Sequence, residues 1–198
     1  MQSVSSSDAL SRTARARRDD IVAAAVAVLA TEGFPAASVE RIAAEAGTGK
    51  GVVLYHFGTK ERILEEVVRS LYEKGAATMT ARILAETDHR ARLHAYLRSN
   101  LEFIGENAAH VVAVQRIVAN TAIVPDTSHD VPGIRDLLAR GQEAGAFGDF
   151  DPQIAALMIR AVVDAASFHL TGNDDVDLDH AVEQVVVLFD RATARPSP

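Results

Sequence analysis

A chain of 198 residues with 48% hydrophobic residues and no tryptophan has room for one or two compact units around an alanine- and valine-rich core. The absence of cysteine excludes disulfides, a thiolate nucleophile and cysteine-ligated zinc. The formal net charge of −7 is lopsided: residues 1–60 hold seven Lys/Arg against six Asp/Glu, residues 61–198 thirteen against twenty-one, so the acidity belongs to the second part.

In chain order, residues 1–11 are rich in serine, have little to bury and are expected to be a disordered tail. Arg12, Arg15, Arg17 and Arg18 then cluster ahead of an apolar stretch. Arg17–Arg18 before Ile21–Ala30 superficially resembles a twin-arginine export signal, but Asp19 and Asp20 interrupt it. Ile21, Ala24, Ala25, Val28 and Leu29 follow i, i+3, i+4, i+7, i+8 spacing, which predicts an amphipathic helix ending before Gly33.

The next segment, SVERIAAEAGTGKGVVLYHFGTK from Ser38 to Lys60, reads as two short helices joined by a tight turn. Ser38 is a good N-cap, Glu40 places a negative charge in the first turn, and Val39, Ile42, Ala43 and Ala46 share one face. Gly47 stands where the helix must end with positive φ. After the turn, Val53 and Phe57 can pack inward at i, i+4, leaving Lys50, Tyr55 and His56 on the outside. An ordinary αα-corner has no need of such a face. It is the layout of a helix-turn-helix whose second helix enters a DNA major groove. The acidity beyond residue 60 would keep DNA away from every surface except this N-terminal one.

The run AGTGKGVVLYHFGTKERIL resembles the DNA-binding signature of the TetR family of transcriptional regulators. Ile42–Ala43, Ala46–Gly47, Lys50–Gly51, Tyr55–His56–Phe57 and Thr59–Lys60–Glu61 all agree in register. Leu54 stands where many members carry tyrosine, and Val52 where threonine is frequent; the valine keeps methyl groups that could touch a thymine methyl. The resemblance implies that Ser38, Lys50, Gly51, Val52, Tyr55, His56 and Lys60 form the DNA-binding set. Lys50 and Tyr55 would face bases or adjacent backbone, and Ser38, His56 and Lys60 would position phosphates.

From Lys60 onward the pattern is helical throughout: residues 60–86, with Gly75 as a weak point, then 88–106, 108–123, 132–144, 151–170 and 178–193. Asp151–Pro152 is a strong helix start, and Gly172–Asp177 an acidic linker. No strand-like segment and no repeat stands out, so the expected fold is all-α. A helix-turn-helix domain at 12–60 would precede a helical effector-binding and dimerisation domain at 61–194, with a short tail at 195–198. The last two helices are apolar over more than one face and need cover on both sides. In TetR-like proteins the corresponding pair forms a four-helix bundle with its symmetry mate, which implies an interface through Ala161, Ala165, Val182, Val186 and Phe189.

Catalytic motifs are missing. There is no HExxH, no histidine pair at metal-binding spacing and no GxSxG, while GTGKG lies between helices and lacks the Ser/Thr of a phosphate loop. Asp164 follows Arg160 by four residues, the spacing of an intrahelical ion pair. No cofactor, metal or enzymatic activity is expected, and no uninterrupted apolar run suggests a membrane span. Gln115 and Asn120 interrupt the apolar run VVAVQRIVANTAIV; facing inward with Phe103 and Phe168, they would line a pocket for a small, mostly apolar effector. The expected protein is a cytoplasmic, homodimeric repressor that binds double-stranded operator DNA and is released by that effector. The alternative is a helical enzyme or binding protein that retains an unused helix-turn-helix.

Overall fold

The computed structural model describes residues 6–127, 130–172 and 175–195, with side chains from residue 13 onward. The described residues form helices α1 (Ser6–Glu32), α2 (Val39–Glu45), α3 (Lys50–Phe57), α4 (Lys60–Ala85), α5 (His89–Glu106), α6 (Ala108–Asn120), α7 (Asp130–Glu143), α8 (Pro152–Thr171) and α9 (Leu178–Thr193). A single 3-10 turn, Phe34–Ala36, stands between α1 and α2, and no strand occurs among these residues. The fold is all-α, as the sequence pattern requires.

Local chemistry sets the helix ends. Ser38 Oγ accepts from Arg41 N at 3.1 Å, Asp88 from Ala91 N at 2.8 Å and Asp177 from His180 N at 3.0 Å. Asp151 accepts from both Gln153 N and Ile154 N ahead of α8, with Pro152 at its first position. Gly47 closes α2 at φ +60, a conformation that costs glycine nothing. Helix α6 stops short of the expected residue 123 because Thr121 Oγ1 accepts from Ile123 N while donating to Ile117 O.

The tail expected to be disordered is corrected in part. Residues 1–5 lie outside the described residues, but Ser6–Ser11 form the opening turns of α1. Once a helix exists, each added residue gains a hydrogen bond without a new nucleus. Of the tail at 195–198, only Arg195 is described, and Asn173 and Asp174 of the acidic linker also lie outside the described residues.

The chain divides into two compact units. One runs to Leu71 and includes Val112–Val124; the other comprises Tyr72–Val111 and the residues from Pro125 on. In the first unit, Ile21, Ala25, Val28 and Leu29 of α1, Ile42 and Ala43 of α2, and Val53 and Phe57 of α3 are buried. So are Ile63, Leu64 and Val67 of α4 and Ala113, Val114 and Ile117 of α6. The Arg116 guanidinium donates to the Leu29 carbonyl, one of the four that the end of α1 leaves without a helical partner.

In the second unit, α5, α7, α8 and α9 enclose a core of Leu93, Leu97, Leu101, Ile134, Leu138, Phe147, Ala156, Ile159, Val182, Val186 and Phe189. Gly75 does not break α4. A Cβ there would stand 3.1 Å from the Phe103 ring, so the glycine makes room for that ring. Three residues assigned to a subunit interface belong instead to this core: Val182 (1% exposed), Val186 (5%) and Phe189 (8%). They form the inward face of α9, which α5 covers within the chain. Helix α8 is by length and mean hydropathy apolar enough to cross a bilayer, which a search for uninterrupted runs overlooks. It buries Ala156, Ile159 and Val163 in the core and carries Arg160 and Asp164 at mid-length, so it packs as a core helix with one uncovered stripe.

Candidate nucleic-acid interface

Helix α3 is held from behind and bare in front. Val53 and Phe57 are buried, while Lys50, Gly51, Val52, Leu54 and Tyr55 are exposed, Tyr55 at 85%. Arg18 adds to that hold. Its guanidinium lies 4.2 Å from the Phe57 ring centroid, donates to the His56 carbonyl at 2.5 Å and stands 3.6 Å from Glu66. A cation at the C-terminal carbonyls of α3 also complements the helix dipole. The arginine cluster read from the sequence thus contains one residue that fastens the helix-turn-helix.

Each expected DNA-contact residue has a definite place. Ser38 Oγ is occupied as the N-cap of α2. Lys50 Nζ lies 2.5 Å from Glu40 Oε1 at the surface. Gly51 has open space around its missing Cβ, so the backbone of α3 can be approached closely there. Val52 is 39% exposed and presents its methyl groups outward. His56 is half-buried, its ring edge-on to Tyr55. Lys60 does not wait for an anion: its Nζ lies 4.6 Å over the Phe34 ring, a cation–π contact that offsets its unfavourable place in a first turn.

The four residues expected to line an effector pocket differ in exposure and fall in both units. Phe103 is buried against Gly75, and Gln115 is half-buried with a partner of its own. Asn120 is exposed and its amide donates back to Arg116 O at 2.8 Å, the usual behaviour of a short polar side chain in a last helical turn. Phe168 is 65% exposed on the outer face of α8. It lines up there with Ile154, Leu157, Met158, Ala161 and Ala165, all exposed.

The second unit also holds a polar cluster. Arg160 of α8 pairs with Asp164 at 2.5 Å, at the expected i, i+4 spacing, and with Asp130 of α7 at 2.8 Å. Tyr72 of α4 and Tyr96 of α5 lie within its field. The Tyr96 hydroxyl is buried and completes no hydrogen bond among the described residues. Burial pushes its pKa up to about 12; Arg160 pulls the other way, and Asp130 and Asp164 push it further up. The signal was present in the sequence, since Tyr96 falls on the same face as Leu93, Leu97 and Leu101, and a phenol on a core face must find a partner. A separate open groove of about 460 Å³ runs past Arg82, His94, Arg98 and Ser99; Arg82 pairs there with Glu102 and Arg98 with Glu183, and His94 Nε2 lies 2.6 Å from Asp190. Among the described residues no group of three or more His, Cys, Asp or Glu could hold a metal ion.

A short helix pair with a bare outer face, backed by a third helix, defines the class of helix-turn-helix proteins. Residues 21–67 match the family described as bacterial regulatory proteins, tetR family. The chain is similar to the HTH-type transcriptional regulator BetI of Vibrio parahaemolyticus, 32% identical over 99 residues, 49% of each chain. It is also similar to the HTH-type transcriptional activator FasR of Mycolicibacterium smegmatis, 25% identical over 178 residues, 86% of this chain and 80% of that one. The match spans about half the length of the BetI relatives. The fold is shared with AibR, solved in complex with isovaleryl coenzyme A and operator DNA, at a TM-score of 0.72 and 15% identity over 87% of this chain and 97% of that one. Over residues 21–67, which hold the helix-turn-helix, the chain is therefore similar to the tetR family of bacterial regulatory proteins.

Proposed function

We propose that this protein is a cytoplasmic transcriptional repressor that binds operator DNA as a homodimer and releases it on binding a small, mostly apolar effector. The observation that carries the reading is the exposed face of α3, with Lys50, Gly51, Val52 and Tyr55 turned outward from a helix fastened by Arg18. Ser38, His56 and Lys60 flank that face and supply phosphate contacts. The homodimer is supported by the outer stripe of α8, where Ala161 and Ala165 leave room for close helix approach between larger apolar neighbours. The effector reading draws on the AibR complex and on Tyr96, whose unsatisfied hydroxyl is the anchor that Gln115 and Asn120 do not provide.

Duplex binding tested at two salt concentrations decides the central point, because each neutralised phosphate steepens the fall of affinity with salt. Lys60→Ala is expected to weaken binding to every sequence alike and to lower the salt slope by about one. Lys50→Ala is expected to relax preference at particular base pairs by about tenfold. Unchanged affinity in both variants would remove α3 from the interface.

A further inference from the structure

We infer that Glu40 is a positioning residue of the DNA-reading face, holding Lys50 so that the lysine addresses a base edge and is kept from the phosphate backbone. The inference rests on the DNA-binding reading above. Helix α3 carries one Lys or Arg, Lys50, in its first turn. Its Nζ lies 2.5 Å from Glu40 Oε1 in the first turn of α2, and the two side chains are 54% and 61% exposed. The pair therefore stands on the surface that would meet a polyanion, where an internal strut has no packing to support. Arg41, beside Glu40, is fully engaged elsewhere, with Glu32 at 2.6 Å and Glu45 at 2.8 Å. The lysine, its own backbone hydrogen bond and the start of α2 keep the Glu40 carboxyl below its ordinary range, so it stays an anion.

A lysine ammonium has three donors. With one committed to Glu40, two remain in a restricted direction, enough for O6 and N7 of a guanine, and the freedom lost on reading that base is partly lost beforehand. A phosphate draws no such benefit. Lys50 cannot swing freely toward it, and the Glu40 carboxylate is a like charge beside it. The pair thus opposes sequence-independent binding while leaving base reading intact.

The test compares wild type with Glu40→Gln on two duplexes, one selected by the wild-type protein from a random-sequence pool and one scrambled from it. In the variant, affinity for the scrambled duplex should rise about fivefold or more, with the salt slope steeper by about one phosphate. Affinity for the selected duplex should stay level or fall, so that the ratio between the two drops. Repeating the comparison in a Lys50→Ala background should largely abolish that drop, which a merely structural role of Glu40 would leave in place. Equal changes on both duplexes, or none, overturn the inference. If the wild-type protein selects no duplex and binds none in a salt-dependent way, it is the DNA-binding reading that fails.

Discussion

The Tyr96 hydroxyl is a cost the fold carries at a single residue. A buried donor without a partner is unfavourable by about 1–3 kcal/mol, and exchange for an apolar group of the same shape removes that cost. Tyr96→Phe should therefore leave the denaturation midpoint at pH 7 unchanged or raised. At high pH the difference has a definite sign. The folded-state pKa of about 12 stands above the ordinary 10.0, so the neutral phenol's contribution is complete below pH 10 and is lost between pH 10 and 12. The variant should decline less steeply over that window in chemical denaturation, and an equally steep decline would mean that Tyr96 ionises as an ordinary phenol. Asp190 gives the opposite case. Hydrogen bonds from Arg90 and His94 hold its carboxyl at about 2, against an ordinary 3.8, so their contribution is present above pH 4 and is lost as the pH falls toward 2. Wild type and Asp190→Asn should accordingly converge at about pH 2, with a gap above pH 4 below about 1 kcal/mol for so exposed a pair. Tyr96 could be read from its place on a core face, but Asp190 could not: it lies 96 and 100 residues from its partners, a separation no periodicity reports.

At the scale of elements, the helix starts were legible because each is written in local chemistry. Ser38 and Asp151 cap where a short polar side chain before an apolar stripe predicts a cap, and Asp88 and Asp177 do the same for α5 and α9. The face each helix buries was legible for α1, α2 and α3, which have one apolar side. It was not legible for α8 and α9, whose several apolar sides can be apportioned only once their neighbours are known. Close approaches were equally hidden. Gly148 N donates to Thr193 O at 2.9 Å, and a Cβ on Gly148 would stand 2.6 Å from the Ala194 carbonyl oxygen, where rigid backbone cannot give way. Gly133, inside α7, has nothing within 4 Å of its missing Cβ. Thermal unfolding of the two alanine variants should thus move in opposite directions. Gly148→Ala should lose about 1–3 kcal/mol through overpacking, and Gly133→Ala should gain up to about 1 kcal/mol through helix propensity. A stable Gly148→Ala protein would show that the junction between 148 and α9 is looser than these distances require.

For the whole molecule, the question is what covers α8. Ile154, Leu157, Met158 and Phe168 are 47–65% exposed, and with Ala161 and Ala165 they make a stripe along the helix on the side opposite Ala156, Ile159 and Val163. In the proposed homodimer a second copy related by a two-fold axis would cover this stripe with its own. Position on α8 and α9 then separates two consequences that the sequence pattern merged. A charge at Val186 would enter the chain's own core, so Val186→Asp should unfold the protein and show lost helical circular dichroism. A charge at Ala161 or Leu157 meets solvent in the isolated chain and becomes unpaired and desolvated only between two copies. Ala161→Glu and Leu157→Lys should therefore keep wild-type circular dichroism while light scattering shows monomer. Operator affinity should fall with the dimer, because two α3 helices must be joined to meet half-sites about 34 Å apart. If wild type were itself monomeric at micromolar concentration, or if the two variants remained dimeric, the stripe would have to be covered by something other than its own copy.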